Sequence, residues 1–358
     1  MTSQRKIRVL IVDDSAIVRK LLSEALSDQA DLEVVGTAPD PFIARDKILS
    51  LHPDVLTLDI EMPRMDGLTF LRKLMRFHPM PVVVISSLGQ ASSRVAIEAL
   101  QCGAVEVLAK PGGPYSVGEL KQDLAHKIRA AAQSRLRAAA RAETEPAPAP
   151  VAAIPASTEC HDPRSLIAIG ASTGGTEAIR EVLLGIPESS PGIVIVQHIP
   201  AVFSAAFANR LNDLCRIRVK EAENGDRVVP GQALVAPGNF HMTLRPCDGG
   251  YRVAVGGGER VCYQRPSVDV LFQSVATVAG SNAIGALLTG MGADGAEGLL
   301  AMKGAGARTI AQDEASCVVF GMPREAIELG AVDRVLPLRR IAGELMAWSM
   351  SHAPAAVR

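Results

Sequence analysis

The sequence has few aromatic residues, almost no net charge and no long hydrophobic run. Aromatic residues make up 3% of its 358 residues, so the cores must be aliphatic, as in parallel sheets covered by helices. A formal net charge of -1 argues against a large surface for nucleic acid. Because no apolar run is long enough to span a membrane, we expect a cytoplasmic protein without membrane insertion.

The cysteines and the first apolar run give no sign of secretion. The six cysteines are scattered without a C-x-x-C pair, which is typical of reduced thiols rather than of disulfides or a zinc site. The first apolar run, Ile7–Val12, stops at the acidic Asp13. It is therefore predicted to be a strand and not the core of a signal peptide.

The N-terminal third alternates short apolar runs with stretches of helical spacing. Strands are predicted at 7–12, 32–37, 55–58, 82–85 and 105–108, each followed by a helix, the last from Val117 to about Arg129. Five such units predict a flavodoxin-like α/β fold with a five-stranded parallel sheet in residues 1–128. In this fold, functional residues lie at the carboxyl ends of the strands.

The composition changes after this first domain. Residues 129–163 are rich in alanine and proline, which predicts a flexible, extended linker. A second domain is predicted over residues 164–350, because apolar runs and helical stretches alternate again. Its strands are expected at 166–169, 193–196, 233–236, 284–288 and 307–310, in a doubly wound, mainly parallel sheet, with a glycine-rich hairpin at 247–259.

Charged residues follow three predicted strands of the first domain. Asp13 and Asp14 follow the first strand, Asp59 the third and Lys110 the fifth. The carboxylates would converge on one sheet edge, where Mg²⁺ relieves their mutual repulsion. Asp59 is then a candidate phosphoryl acceptor, with Mg²⁺ and Lys110 balancing the added charge and Ser86 donating to the phosphoryl oxygens.

This arrangement over residues 7–125 resembles the receiver domain of response regulators. The resemblance implies that Asp59 is the phosphorylation site and that Asp13 and Asp14 are the metal pair, so that all three carboxylates hold Mg²⁺. It further implies that Ser86 is the switch hydroxyl and Lys110 the signature lysine of that family.

A serine in the second domain follows a predicted strand within a glycine-rich turn. Ser172 lies in Gly170–Gly175, which matches G-x-S-x-G, a motif in which a turn exposes a nucleophilic hydroxyl. The other interpretation is that Ser172 or Thr173 caps the following helix. Oxyanion donors would be backbone N–H groups near Thr173 and Met291.

A nucleophilic serine needs a base and an orienting acid. His198 ends an apolar run and would share the sheet edge of Ser172, whereas His241 is expected in a loop as the alternative base or a substrate-shaping residue. Asp294 follows another strand, where it either orients His198 or only closes a turn. The order Ser, His, Asp differs from that of α/β-hydrolases.

Five segments between residues 164 and 347 resemble the catalytic domain of chemotaxis protein-glutamate methylesterases, the CheB family. The segments are Gly170–Gly175, Val196–Pro200, Arg265–Asp269, Leu288–Gly295 and Gln312–Pro323. The resemblance implies a Ser172, His198, Asp294 triad, with Met291 at the oxyanion position and Thr173 beside the nucleophile.

The resemblance also implies an activity and its partners. The enzyme would hydrolyse glutamate methyl esters on methyl-accepting chemoreceptors, releasing methanol, and would deamidate receptor glutamines. It would be a monomer that needs no cofactor for the esterase step and receives its phosphoryl group from a chemotaxis histidine kinase. In this family the unphosphorylated receiver packs over the active site, and phosphorylation loosens that interface.

Three other functions would need different sequence features or a different selectivity. A transcriptional regulator would carry a short basic helix-turn-helix module, whereas a glycine-rich α/β sequence follows the linker here. A non-catalytic adaptor would not need Ser172, His198 and Asp294. A general serine hydrolase for small esters would lack selectivity for a protein substrate.

Overall fold

The structure, a computed structural model, describes residues 5–87, 89–110, 117–134 and 164–350. The chain divides into two compact units between Pro146 and Ala147, within the predicted linker. Most of that linker lies outside the described residues. Within the described part of the chain, no helix is both long and apolar enough to cross a membrane.

The first unit is a five-stranded parallel sheet flanked by helices. Its strand order, β2-β1-β3-β4-β5, is that of the flavodoxin-like fold. The elements are β1 Ile7–Val12, α1 Ala16–Ser27, β2 Leu32–Ala38, α2 Pro41–Leu51, β3 Val55–Asp59, α3 Gly67–Phe77, β4 Val82–Ser86, α4 Gln90–Gln101, β5 Glu106–Ala109 and α5 Val117–Gln133.

Side-chain caps begin three of these helices. Ser15, Asp40 and Asp66 accept hydrogen bonds from backbone N–H groups in the first turns of α1, α2 and α3. Helix α5 continues to Gln133, past the end near Arg129 that the sequence predicted. Arg129 donates to the carboxylate of Asp31 at 2.7 Å and therefore anchors this last part of the helix to the first unit.

The second unit contains a seven-stranded parallel sheet, ordered β15-β14-β13-β6-β7-β10-β8, and a three-stranded antiparallel sheet, β11-β12-β9. Its elements are β6 Leu166–Ala171, α6 Gly175–Leu184, β7 Gly192–Gln197, α7 Ala201–Leu214, β8 Arg218–Glu221, β9 Arg227–Val228, β10 Gln232–Val235, β11 His241–Cys247, β12 Gly250–Gly256, α8 Val268–Val278, β13 Ala283–Leu287, α9 Ala296–Gly304, β14 Arg308–Gln312, α10 Met322–Glu328, β15 Arg334–Leu336 and α11 Leu338–Met350.

The second sheet reverses its strand order beside β6. From β6 the chain moves to β7 on one side and later returns to β13 on the other. Helices cover this sheet with mostly aliphatic side chains, as the scarcity of aromatic residues predicted. A crevice outside the carboxyl ends of strands is expected at such a reversal, so β6, β7 and β13 define the edge where a site forms.

Two predictions in this unit need correction. The hairpin expected at 247–259 is formed by β11 and β12 and begins at His241, which is the first residue of a strand and not part of a loop. The strands β8, β9 and β15 were not predicted. They are only two to four residues long, and each has exposed charged positions, so no clear apolar run marks them.

Candidate functional sites

Ser172, His198 and Asp294 follow the neighbouring strands β6, β7 and β13 of the second unit. Ala171 pairs with Gln197, so Ser172 and His198 leave their strands at the same level. The N–H of His198 donates to the carbonyl of Ala171 at 3.1 Å, and the N–H of Ser172 donates to that of Thr289 at 3.0 Å. All three side chains are buried, which protects their mutual interactions from water.

His198 and Asp294 are in direct contact. Nε2 of His198 lies 2.7 Å from Oδ2 of Asp294. Burial alone would raise the pKa of Asp294, but the hydrogen bond and charge of His198, with further donors from Asp269 and Ser267, outweigh it and lower this pKa. Asp294 is therefore an ionised carboxylate that accepts a hydrogen bond from the N–H at Nε2 of His198. The lone pair of the imidazole is then on Nδ1.

The beginning of helix α8 supplies the other donors to Asp294. The hydroxyl of Ser267 donates to Oδ1 at 2.7 Å, the N–H of Val268 to Oδ2 at 2.7 Å and the N–H of Asp269 to Oδ1 at 3.0 Å. With His198, four donors therefore saturate this carboxylate. A helix N-terminus also favours a negative charge electrostatically, so α8 stabilises Asp294 in its ionised form.

Nδ1 of His198 is buried and forms no hydrogen bond with any described residue. No hydrogen bond joins it to Ser172 Oγ in this structure. Catalytic hydrogen bonds are often longer without substrate and shorten only in the complex. The structure thus joins His198 to Asp294, places Ser172 on the adjacent strand end and leaves a free acceptor on the imidazole.

The turn around Ser172 does not use the serine as a helix cap. Helix α6 has Gly174 as its N-cap, at φ 75°, and no side chain caps it, so the capping interpretation of Ser172 and Thr173 is wrong. The carbonyl of Ser172 accepts from the N–H of Gly175 at 2.7 Å and from Nε2 of Gln197 at 2.9 Å. The main chain is thus fixed through its carbonyl, while the hydroxyl takes no part in starting the helix.

The loop after β13 packs tightly against the serine. A Cβ at Gly290 would stand 2.7 Å from Cβ of Ser172 and 2.2 Å from the sulfur of Met322, so only glycine fits there. The carbonyl of Gly290 accepts from the N–H groups of Gly321 and Met322. Met291 follows directly, and its N–H donates no backbone hydrogen bond to the described residues. Its role as an oxyanion donor stays a prediction.

Both ring nitrogens of His241 are engaged. Nδ1 accepts from the N–H of Ser267 at 3.2 Å, and Nε2 bonds to the carbonyl of Glu259 at 2.8 Å. The Ser267 bond requires a lone pair on Nδ1, so the proton is on Nε2 and donates to Glu259. This ring has no free lone pair for a substrate proton and does not fit the role of alternative base.

The acidic residues of the first unit meet at the predicted sheet edge. Nζ of Lys110 donates to Oδ2 of Asp59 at 2.7 Å and lies 3.2 Å from Oδ2 of Asp13. Carboxylate oxygens of Asp13, Asp14 and Asp59 all lie within 4.8 Å of one another. Oδ2 of Asp13 is buried, and its ion pair with Lys110 is the one polar contact it makes with the described residues. A group of three carboxylates that share a single lysine fits a hard cation such as Mg²⁺.

The electrostatics of this cluster agree with that fit. Burial raises the pKa of Asp59 to about 6, and the charge of Asp13 adds to the rise against the hydrogen bond from Lys110. Burial also raises the pKa of Asp13. Burial alone would lower the pKa of Lys110, but its contacts with Asp59 and Asp13 outweigh this and raise it. The cluster therefore holds more negative charge than one lysine compensates.

Ser86, the predicted switch residue, is buried at the end of β4. Its hydroxyl lies 3.4 Å from the carbonyl of Ser92 in α4 and is directed to that helix in this state. Nearby, the carboxylate of Glu61 accepts from the hydroxyls of Ser87, at 2.8 Å, and of Ser92. These bonds join the loop after β3 to the loop before α4 and to the first turn of α4, beside the candidate phosphoryl acceptor.

Comparison with known proteins covers both units. The family model for the CheB methylesterase matches residues 167–345, and the model for the response regulator receiver domain matches residues 9–122. A protein of Syntrophus aciditrophicus named protein-glutamate methylesterase/protein-glutamine glutaminase 2 is 56% identical over 341 residues, 95% of this chain and 98% of that protein. The chain belongs to the CheB methylesterase family.

Other CheB relatives agree with this assignment. A protein of Salmonella typhimurium named protein-glutamate methylesterase/protein-glutamine glutaminase is 53% identical over 347 residues, 96% of this chain and 97% of that protein. The solved CheB methylesterase catalytic domain of Thermotoga maritima is 38% identical, covers 51% of this chain and 98% of its own, and superimposes with a TM-score of 0.50. The predicted pairing of a receiver with a methylesterase domain is confirmed.

Sequence reasoning missed several residues around the CheB sites. Ser267 lies in one of the segments on which the resemblance was based, and a serine before an apolar helix is a typical N-cap, so a signal for it was present. Glu61 lies two residues after Asp59, but no spacing rule links it to Ser87 and Ser92. Those contacts depend on how two loops approach each other in space.

Proposed function

We propose that this protein is a phosphorylation-activated protein-glutamate methylesterase that also deamidates receptor glutamines, and that Ser172, His198 and Asp294 carry out the reaction. The names of the relatives support the reaction class. One observation carries the residue assignment: Asp294 bonds Nε2 of His198 at 2.7 Å, and Nδ1 of the same ring has no partner among the described residues. The ring is thus oriented as a base beside Ser172.

In the first half of the reaction, His198 removes the proton of the Ser172 hydroxyl through Nδ1. Oγ attacks the carbonyl carbon of the glutamate methyl ester, and the resulting oxyanion accepts hydrogen bonds from backbone N–H groups at Thr173 and Met291. The intermediate collapses, the bond to methoxide breaks and His198 returns the proton to it, so that methanol leaves. The glutamyl group remains bound to Ser172 as an ester.

In the second half, water replaces methanol. His198 takes one proton from the water as the water oxygen attacks the acyl carbon, and Ser172 leaves with that proton. The glutamic acid side chain that is released still carries the second proton of the water and loses it to solvent to become a carboxylate. A glutamine side chain follows the same steps with ammonia as the leaving group. Asp294 stays ionised throughout and stabilises the imidazolium that forms in both halves.

The receiver supplies the control. Asp59 accepts a phosphoryl group from the phosphohistidine of a chemotaxis histidine kinase, and Lys110 pairs with the charge that is added. Mg²⁺, when bound by Asp13, Asp14 and Asp59, neutralises charge on the transferring phosphoryl oxygens. Ser86 then turns from α4 to hydrogen-bond the phosphoryl group, which biases the receiver surface toward an active state.

The same proposal includes the substrates, the cellular location, the oligomeric state and the cofactor requirement of the enzyme. The substrates are methyl-accepting chemoreceptors, the enzyme is a cytoplasmic monomer, and the ester hydrolysis itself needs no cofactor. Neither nucleic acid nor membrane insertion is part of the function. Mg²⁺ serves only the phosphorylation step.

Methanol release from methylated receptor signalling fragments tests this function. We expect wild type to release methanol faster after treatment with Mg²⁺ and a small phosphodonor, and S172A to lose at least about 10⁴-fold in kcat. Release that persists in S172A would remove the proposed nucleophile. Equal activity on small esters and on receptor fragments would instead favour a general serine hydrolase, and no release from wild type would favour an adaptor.

A further inference from the structure

A second histidine is connected to the catalytic pair by hydrogen bonds. Nε2 of His241 donates to the carbonyl of Glu259 at 2.8 Å, and Nδ1 of His241 accepts from the N–H of Ser267 at 3.2 Å. The hydroxyl of Ser267 then donates to Asp294 at 2.7 Å. Asp294 then bonds His198. These five residues form one continuous series, which we call the relay.

The relay is buried along its middle and exposed at Glu259, one of its two ends. His241, Ser267 and Asp294 are all less than 9% exposed, so their bonds are made in a low dielectric, where each is stronger and costly to break. Glu259 lies in the loop between β12 and α8, which also includes Arg265. Arg265 donates to the carbonyl of Gly258, within the same loop, and to Oδ1 of Asn239 at 2.6 Å, so this loop is braced internally and tied to the segment before β11.

Ser267 bonds three partners at once. Its hydroxyl donates to Asp294 and accepts from the N–H of Val270 as the N-cap of α8, while its own N–H donates to His241. His241 therefore sets the position of the residue whose side chain and successors hold both oxygens of Asp294. A displacement of the α8 N-terminus would rotate the carboxylate that orients His198.

We propose that His241 and Ser267 are positioning residues of the methylesterase reaction, acting through Asp294 on the orientation of His198. This inference rests on the proposed function of the triad. It follows from the bonds of Asp294: three of its four donors come from the α8 N-terminus, and His241 holds the first of these residues by accepting from the N–H of Ser267. Neither residue contacts the reacting atoms.

Two substitutions of His241 separate this role from mere packing. H241N places an amide oxygen near the position of Nδ1 and keeps an acceptor for Ser267, whereas H241Q places its amide near Nε2 and keeps only the bond to Glu259. We expect H241Q to lower kcat for methanol release about tenfold with little change in KM, because misplacement affects the transition state more than binding. H241N should stay within about threefold of wild type.

Ser267 has a matched control on the same helix. Ser274 also lies in α8 and bonds main-chain groups, accepting from Leu244 and donating to Leu271, but it does not touch Asp294. We expect S267A to lose about tenfold in kcat and S274A to keep wild-type kcat. Fluorescence of Trp348, the only tryptophan and part of α11, measures whether each variant remains folded in the second unit.

A second readout makes the inference independent of the ester assay. A fluorophosphonate, which reacts with activated serines, labels Ser172 without needing a receptor substrate. We expect labelling of H241Q and S267A to be about tenfold slower than that of wild type, H241N and S274A. Equal labelling and equal kcat in H241N and H241Q, both folded, would overturn the positioning role while the proposed function stands. Wild type that is labelled but releases no methanol would refute the proposed function alone.

Discussion

Asp59 ends a strand of the receiver sheet and Asp294 follows a strand of the catalytic sheet, and both are buried, yet their pKa values move in opposite directions. Asp294 accepts four hydrogen bonds, and these donors outweigh the cost of burial and lower its pKa. Asp59 accepts from Lys110 and from the N–H of Glu61 but faces the carboxylate of Asp13, and burial raises its pKa to about 6.

This difference shows how equal burial prepares two carboxylates for two tasks. A carboxylate whose charge is already compensated needs no partner from outside and can hold a neighbouring ring in one tautomer throughout a reaction. A carboxylate whose charge is not compensated is stabilised by a bound cation and remains available to accept a phosphoryl group. The donors around each group, and not its depth, therefore distinguish the orienting acid from the phosphoryl acceptor.

The largest effect should come from removing the charge of Asp294. In D294N, an amide group facing Nε2 favours the wrong tautomer of His198, and we expect kcat/KM for methanol release to fall about 10³- to 10⁴-fold. D226N is a suitable control, because the carboxylate of Asp226 bonds Glu223 and Lys220 and none of the triad residues. An activity of D294N within tenfold of wild type would contradict the role given to Asp294.

Removing the charge of Asp59 should affect only the regulation. Since Asp59 is not part of the ester-hydrolysing group, D59N should keep basal methanol release and show a ratio of about 1 between rates with and without phosphodonor. Radiolabelled phosphodonor measures the loss of phosphorylation directly. A D59N enzyme that is still activated by the phosphodonor would move the phosphorylation site to another residue.

A smaller effect concerns the pH dependence of Mg²⁺ binding to the receiver. Folding raises the pKa of Asp59 from 3.8 to about 6, so this carboxyl is mostly protonated at pH 5 and ionised at pH 7.5. Because Mg²⁺ needs the ionised ligand, its affinity should increase with pH through about 6 and be about tenfold weaker at pH 5 than at pH 7.5. Calorimetric titration measures this, and D59N should remove most of the dependence. An affinity that rises on acidification would contradict the predicted sign.

The receiver fold and the residues at its strand ends were predictable from local sequence. Apolar runs such as Val82–Ile85 have the length and branching of buried strands, and parallel connections then bring Asp13, Asp59 and Lys110 to one edge. The strand ends predicted for the second sheet likewise place Ser172 and His198 after neighbouring strands. These predictions succeed because the period of the pattern and the handedness of crossovers leave few alternatives.

The contacts that orient the catalytic residues were not predictable in this way. Ser267 reaches Asp294 across 27 positions of the chain, and His241 reaches Ser267 across 26, so neither contact leaves a local period in the sequence. The choice of Nε2 rather than Nδ1 for the Asp294 bond depends on a side-chain rotation within a packed site. Such features arise from tertiary packing, which a single sequence specifies but does not display.

The most direct test of the account is the identity of the residue that carries the acyl group. Phosphodonor-treated enzyme is mixed with an excess of methylated receptor fragment, quenched in acid within one turnover, digested and analysed by mass spectrometry. The account predicts a fragment joined as an ester to the peptide that contains Ser172, with one methanol released per adduct and no adduct in S172A. An adduct on any other residue, or methanol release at the wild-type rate by S172A, would contradict it.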